Sequence, residues 1–228
     1  MTGTTAVDPD ALWAAIDDQR SRTAQLLEDL APDQWDHPSL CDGWTVRHVA
    51  AHLTMQRERL HEAAGFVARH PRMLRSRGLN AFIHDAAVVQ ARALSSEEVV
   101  ERIRAGIGSR RHNAFVTPLE TLTDILVHSQ DIAIPLGLEL DMRPKPSAVA
   151  ATRRWDTRTT WLARVNRRLP LEGFRLVATD TEWTRGDGPP ITGPIGAILL
   201  LLTGRTAALG RLDGEGTEVL RTTRTASP

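Results

Sequence analysis

The sequence predicts a mainly α protein, a bundle of four long helices followed by a small α+β segment. Two patterns carry this. Apolar residues recur at helical spacing in separate stretches before Pro170, and extended, alternating runs appear only after it. The 228 residues are enough for a sizeable core, and the composition shift places the boundary between residues 1–169 and 170–228.

The first helix runs through Asp8 to Leu30, where Leu12, Ile16, Leu26, Leu27 and Leu30 repeat at helical spacing and Asp8 precedes Pro9 as a cap precedes a first-turn proline. After a connection rich in Pro, Asp and Ser, Thr45 opens a second helix whose apolar positions continue through Leu60 toward Val67. A short helix is expected around Ala81 to Gln90. Ser95, Ser96, Glu97 and Glu98 read as a cap with first-turn acids, opening a third long helix to about His112. Pro118 fits the first turn of the fourth, which stops at Pro135 to Gly137. Pro144 to Ser147 reads as a second break and Ala148 to Leu169, with Trp155, Trp161, Leu162 and Val165, as a further helix. Phe174 to Thr179 and Glu182 to Thr184 read as a hairpin, Ile195 to Leu202 as a buried helix, and the region near Val219 as a last strand.

Lysine plus arginine and aspartate plus glutamate both number 28, so the formal charge is zero. Neither a basic nucleic-acid footprint nor an acidic disordered tail is indicated, so small molecules are the expected partners. The lone Cys41 excludes an intrachain disulfide, and Met1 to Asp10 is too polar for a signal peptide, so a cytoplasmic location is expected. The apolar run Ile195 to Leu202 is only eight residues long, against roughly 20 for a membrane span.

Chemistry concentrates in the fourth helix. Asp124 and His128 stand four apart, so both project from one face, and Ile125, Leu126 and Val127 between them imply a helix with much of its surface buried. Taken alone, such a pair is usually an exposed polar pair. In an apolar helix a charged group needs a partner or a metal ion, and His52 on the second helix supplies a third donor. Three protein ligands are the usual count for a catalytic zinc with one position open.

Other residues are weighed against this trio. His48, four before His52, offers a further ligand or a bond to nearby backbone. Asp131, three beyond His128, orients that imidazole or serves as a surface or capping acid. Cys41 reads as a small buried hydrophobe, since no base is paired with it by spacing, so no protein nucleophile is assigned. Trp35 and Trp44 read as packing anchors, and His37, His61, His70, His84 and His112 as surface residues. Arg205 is a candidate for binding a substrate carboxylate, with surface solvation as the alternative.

Two ordered motifs carry a resemblance. The stretch Trp35-Asp36-His37-Pro38-Ser39-Leu40-Cys41-Asp42-Gly43-Trp44-Thr45-Val46-Arg47-His48-Val49-Ala50-Ala51-His52-Leu53, with Leu126 to Gly137, resembles the mycothiol-dependent maleylpyruvate isomerase family within the DinB-like metal-binding bundles. The likeness covers about Leu12 to Gly137 well and the segment from Gly173 loosely. It implies a DinB-like four-helix bundle that binds a divalent metal through His52, Asp124 and His128. Zinc is the implied metal, with nickel able to take the site after purification. It also implies mycothiol as thiol cosubstrate and a small electrophile as substrate, joined by transfer or isomerised, with no nucleic-acid or membrane partner. Two departures stand out: the carboxylate is often glutamate in relatives, and the position of His48 is often aspartate. A metal-dependent hydrolase and a non-catalytic, metal-braced binding module are the alternatives, and a fourth ligand such as His48 would favour the second.

Overall fold

The computed structural model describes residues 7–113, 116–158 and 171–225. The chain forms two compact units, Met1–Leu140 and Asp141–Pro228. The first is a helical bundle built from α1 (Pro9–Glu28), α2 (Val46–Thr54), α3 (Leu60–Arg69), α4 (Leu79–Ala93), α5 (Ser96–Arg104) and α6 (Pro118–Ala133). Helix α1 packs on α5 and α6, and α2 packs on α4, α5 and α6, so α1, α2, α5 and α6 make the four-helix core. Leu27, Val49, Leu53, Ile103, Ile125 and Ile132 share one buried cluster there. Each fully buried side chain of this size contributes on the order of 1.5–3 kcal/mol.

Local signals set the helix ends. The Asp8 carboxylate accepts the Asp10 N–H at 3.0 Å, capping α1. At the start of α6 the Thr117 hydroxyl accepts from Leu119 N–H at 3.3 Å, while the Glu120 carboxylate accepts from Thr117 N–H at 3.0 Å. Helix α6 ends in a 3₁₀ turn at Ile134–Leu136 and a left-handed Gly137. The helix carries two stripes. Leu122, Ile125, Ser129 and Ile132 are buried, with Ser129 Oγ accepting from Gln19 Nε2 of α1 at 2.8 Å. Asp124, His128 and Asp131 form the second stripe, at offsets of four and three residues.

Two expected helices are shorter than their apolar patterns. The second ends at Thr54 in a 3₁₀ turn, Met55–Arg57, and α3 starts anew because the Glu62 carboxylate accepts the Arg59 N–H at 2.5 Å. The third stops at Arg104 rather than His112, where Gly106 and a left-handed Gly108 interrupt it. The short helix at Ala81 to Gln90 extends to Leu79–Ala93.

In the second unit α7 spans Pro144–Asp156, so the prolines expected as a break form its first turn, where no intrahelical N–H is required. Strands β1 (Arg175–Ala178), β2 (Thr184–Arg185) and β3 (Pro190–Gly193) make a sheet ordered β2-β1-β3. The expected hairpin is present as antiparallel β1 and β2, with Val177 opposite Thr184, and β3 joins β1 in parallel. Helix α8 (Ile195–Leu202) is buried at every residue and packs on α7; Asp180 accepts the Ile195 N–H at its start, at 2.8 Å. The region of Val219 is helix α9 (Glu215–Thr225), not a strand, and Val219 lies exposed on it. Among the described residues no helix is long and apolar enough to cross a membrane. The units divide after Leu140, whereas Trp161, Leu162, Val165 and the boundary expected at Pro170 lie outside the described residues.

Candidate metal centre

Helices α2 and α6 bring His52, Asp124 and His128 together. Asp124 Oδ1 lies 3.4 Å from His52 Nε2 and 3.3 Å from His128 Nε2. These separations are long for charge-assisted hydrogen bonds, which run at about 2.7–2.9 Å. They match the spacing between donors around a tetrahedral zinc, about 3.3 Å for metal-donor bonds of about 2.0–2.1 Å. Two imidazoles and a carboxylate are also the donor types such an ion takes, so the residues present fit a divalent cation. The side chains of His52, Asp124 and His128 are 17, 29 and 16 % accessible, which leaves the cluster reachable from solvent.

Charge balance agrees with the geometry. Burial alone would raise the Asp124 carboxyl, but the His52 and His128 imidazoles outweigh it and hold the group well below its ordinary range. Burial likewise opposes charge on His128, yet Asp124, Asp131 and Cys41 together hold its imidazole well above the usual histidine value. This pocket of α6 is built to hold positive charge against Asp124. A proton on His128 meets that demand in the metal-free chain, and a divalent cation would replace it.

The remaining neighbours orient the imidazoles. His128 Nδ1 lies 2.8 Å from Asp131 Oδ2, the fully buried acid one turn on, which leaves Nε2 to face Asp124. Cys41 Sγ donates to the same Oδ2 at 3.1 Å and lies 3.7 Å from His128 Nδ1. Cys41, His128 and Asp131 thus form a second group of potential donors. Its nitrogen-oxygen spacing is that of a hydrogen bond, so this group is the orienting side of His128. His52 Nδ1 is buried without a hydrogen-bond partner among the described residues, so its ring is held from the Nε2 side.

A tight loop delivers Cys41 and Trp44. Ser39 N–H and hydroxyl both donate to the Trp44 carbonyl at 2.9 Å, Gly43 takes a left-handed φ of 76°, and Leu40 N–H donates to the Asp131 carbonyl at 3.1 Å. The buried Trp44 ring stacks on His128 at 6.3 Å between centroids and stands 5.5 Å from His52 and 6.0 Å from His84. Trp44 is therefore more than a packing anchor, and His84, half-exposed on α4, lies closer to the cluster than its isolated spacing suggested. Trp35 is a packing residue, 2 % exposed, with Arg47 over its ring.

His48 takes the backbone role. Its Nδ1 accepts the Thr45 N–H at 3.1 Å, capping α2, and it belongs to neither donor group. Arg205 lies in the second unit, where it donates to the Thr203 carbonyl at 2.8 Å. Two residues escaped the sequence reading. Gln56, four beyond His52, donates from Nε2 to Asp124 Oδ2 at 2.7 Å, and Arg20 of α1 donates to Gln56 Oε1 at 3.4 Å. The signal for Gln56 was its spacing: His52 and Gln56 repeat the i, i+4 arrangement of Asp124 and His128.

Residues 16–115 match the family model of the mycothiol maleylpyruvate isomerase N-terminal domain. Two solved structures are similar over 95 % of this chain and 97 % of theirs: the mycothiol-dependent maleylpyruvate isomerase, at 15 % identity and a TM-score of 0.58, and its H52A mutant, at 13 % and 0.55. That likeness is one of fold. No curated protein sequence matches the chain.

Proposed function

Residues 16–115 carry the N-terminal domain of the mycothiol maleylpyruvate isomerase family, and from that premise we propose that this chain is a divalent-metal-dependent enzyme acting through a low-molecular-weight thiol. The observation that carries the reading is Asp124 Oδ1 set nearly equidistant from two imidazole nitrogens, at 3.4 and 3.3 Å. His52, Asp124 and His128 would hold the cation, zinc first and nickel as the substitute. When bound, the cation supplies Lewis acidity at its open position, lowering the pKa of a coordinated thiol so that a thiolate forms near neutral pH.

The chain's own residues then have defined tasks. Asp131 holds His128 by its Nδ1, so the Nε2 lone pair stays aimed at the cation. The Trp44 ring lies beside both imidazoles, stacked on His128 and tilted against His52, and so forms one apolar wall of the site. Cys41 donates to Asp131 and lies on the Nδ1 side of His128, where it helps to orient the ring, and the nucleophile in this reading is a thiol cosubstrate, mycothiol by the family domain. The substrate class is a small electrophile, isomerised or conjugated. A closed, structural site would need a fourth protein donor, and His48 is engaged in capping α2. A hydrolase would need a carboxylate base, and Asp131 faces the far nitrogen of His128.

The test uses the cobalt-substituted chain. Adding mycothiol is expected to produce sulfur-to-cobalt charge-transfer absorption, and turnover of an electrophile panel that includes maleylpyruvate should require both metal and thiol. A spectrum indifferent to mycothiol, bacillithiol and glutathione, with no thiol-dependent turnover, would sink the proposal.

A further inference from the structure

Behind Asp124 runs a chain of buried polar contacts that a metal-ligand trio alone does not need. Gln56 is 8 % exposed and Arg20 2 %, and both come from helices other than α6. Gln56 Nε2 donates to Asp124 Oδ2 at 2.7 Å, while the other oxygen, Oδ1, makes the contacts to both imidazoles. Arg20 Nη2 donates to Gln56 Oε1 at 3.4 Å, and Arg20 Nη1 donates to the Gly106 carbonyl at 2.8 Å. Burying an arginine is costly unless its charge and donors are met; Asp17 Oδ1, 3.5 Å from Nη1, balances the charge, and Gln56 and Gly106 accept from the guanidinium.

The carbonyl that Arg20 reaches lies in the turn after α5, where a Cβ on Gly106 would stand 2.9 Å from the Ile103 carbonyl, so glycine suits that turn. The 3₁₀ turn Met55–Arg57 that ends α2 early places Gln56 beside Asp124. The turn after α2 thereby meets Asp124 Oδ2 directly, and α1 and the segment after α5 back it through Arg20.

The consequence concerns how Asp124 can coordinate. A carboxylate may grip a cation with one oxygen or with both, and two-oxygen coordination would consume the position that must stay open. The Gln56 amide engages Oδ2 as Oδ1 faces the imidazoles, and Arg20 fixes the amide's orientation by occupying Oε1. We propose that Gln56, backed by Arg20, is a positioning residue that restricts Asp124 to one-oxygen coordination and so keeps the exchangeable position free. This rests on the metal reading above and adds to it two residues that touch neither cation nor substrate.

The test reads coordination in the full-length chain loaded with cobalt. Gln56→Met keeps the length and removes the amide. Released, the Asp124 carboxylate takes hold with both oxygens, so the intense visible absorption of four-coordinate cobalt falls several-fold while the chain still binds one cobalt, a donor being added rather than lost. A Gln56→Met chain with the parent's spectrum overturns the proposal. If that variant shows no cooperative melt, Arg20→Lys is read instead. It keeps the charge but lacks the fork that spans Gly106 and Gln56, so it should shift the spectrum in the same direction; an unchanged spectrum there overturns the proposal equally. A parent that binds no cobalt, or binds it undiminished after His128→Ala, overturns the metal reading and this inference together. Parent binding that His128→Ala abolishes, with Gln56→Met indistinguishable from the parent, removes this inference alone.

Discussion

His128 and Asp131, one turn apart on α6, face each other nitrogen to oxygen at 2.8 Å, and the acid is fully buried. Such a pair fixes both the tautomer and the tilt of an imidazole. Replacing Asp131 by Asn keeps the shape and removes the charge. Zinc affinity, measured by competition with a chromogenic chelator, should fall on the order of 10–100-fold. Parent-like affinity would show that His128 needs no such support.

Asp124 separates charge from reach. Asp124→Asn should weaken zinc binding sharply, because the neutral amide no longer balances the cation. Asp124→Glu keeps the charge and lengthens the reach by one methylene, and should retain one cation per chain by elemental analysis. Equal affinity in the asparagine variant and the parent would argue that the carboxylate is not a ligand.

The imidazoles themselves give the bluntest check. A His52→Ala, His128→Ala double variant, purified without an affinity tag, should hold no stoichiometric divalent metal. Full metal content in that variant would move the site elsewhere.

Much of this was legible because helical spacing is a local property. The Asp124 and His128 offset, the apolar residues between them, the cap at Asp8, the first-turn Pro118 and the stop at Gly137 need only a few residues each. What escaped depends on distance in sequence. Gln56 shares a helical offset with His52, but its bond to Asp124 crosses 68 positions and that of Arg20 to Gly106 crosses 86. Likewise β3 was missed because its four residues pair with β1 across the hairpin, with Pro190 masking a strand pattern. The helix at Val219 was misread because one β-branched residue outweighed the acids that open its first turn.

Stability against pH should reverse sign with metal loading. His128 is held well above its ordinary 6.5, so in the metal-free chain its contribution is complete below 6.5 and is lost as pH rises through the raised value. Asp124 is held well below 3.8, so its contribution is complete above 3.8 and is lost as pH falls through the depressed value. The metal-free melting temperature should therefore be highest between 3.8 and 6.5 so far as this pair governs it, and decline toward alkaline pH. The zinc-loaded chain should instead gain stability as pH rises from acid, because cation and proton compete for His128. Thermal melts with chelator and with zinc check this, and parallel curves would contradict it.

His48 offers a test in which capping and coordination give opposite results. Its Nδ1 accepts the Thr45 N–H at 3.1 Å, and Thr45 with His48 stands where the Ser/Thr and the acid of a capping box stand. An acid at this position would fit the same role. His48→Ala should cost about 1 kcal/mol of stability, the usual size of a lost cap, and leave zinc stoichiometry at one per chain. His48→Glu should recover that loss while changing the pH response. Burial first, then His84 and Arg92, hold His48 below its ordinary 6.5, so its cap is complete above 6.5 and fails as pH falls through the lowered value. A glutamate cap survives to the lower pH at which carboxylates protonate, so the two chains should diverge in thermal melts taken downward from pH 6.5. Loss of zinc from His48→Ala at neutral pH, with the fold intact by circular dichroism, would instead make His48 a ligand and the site closed.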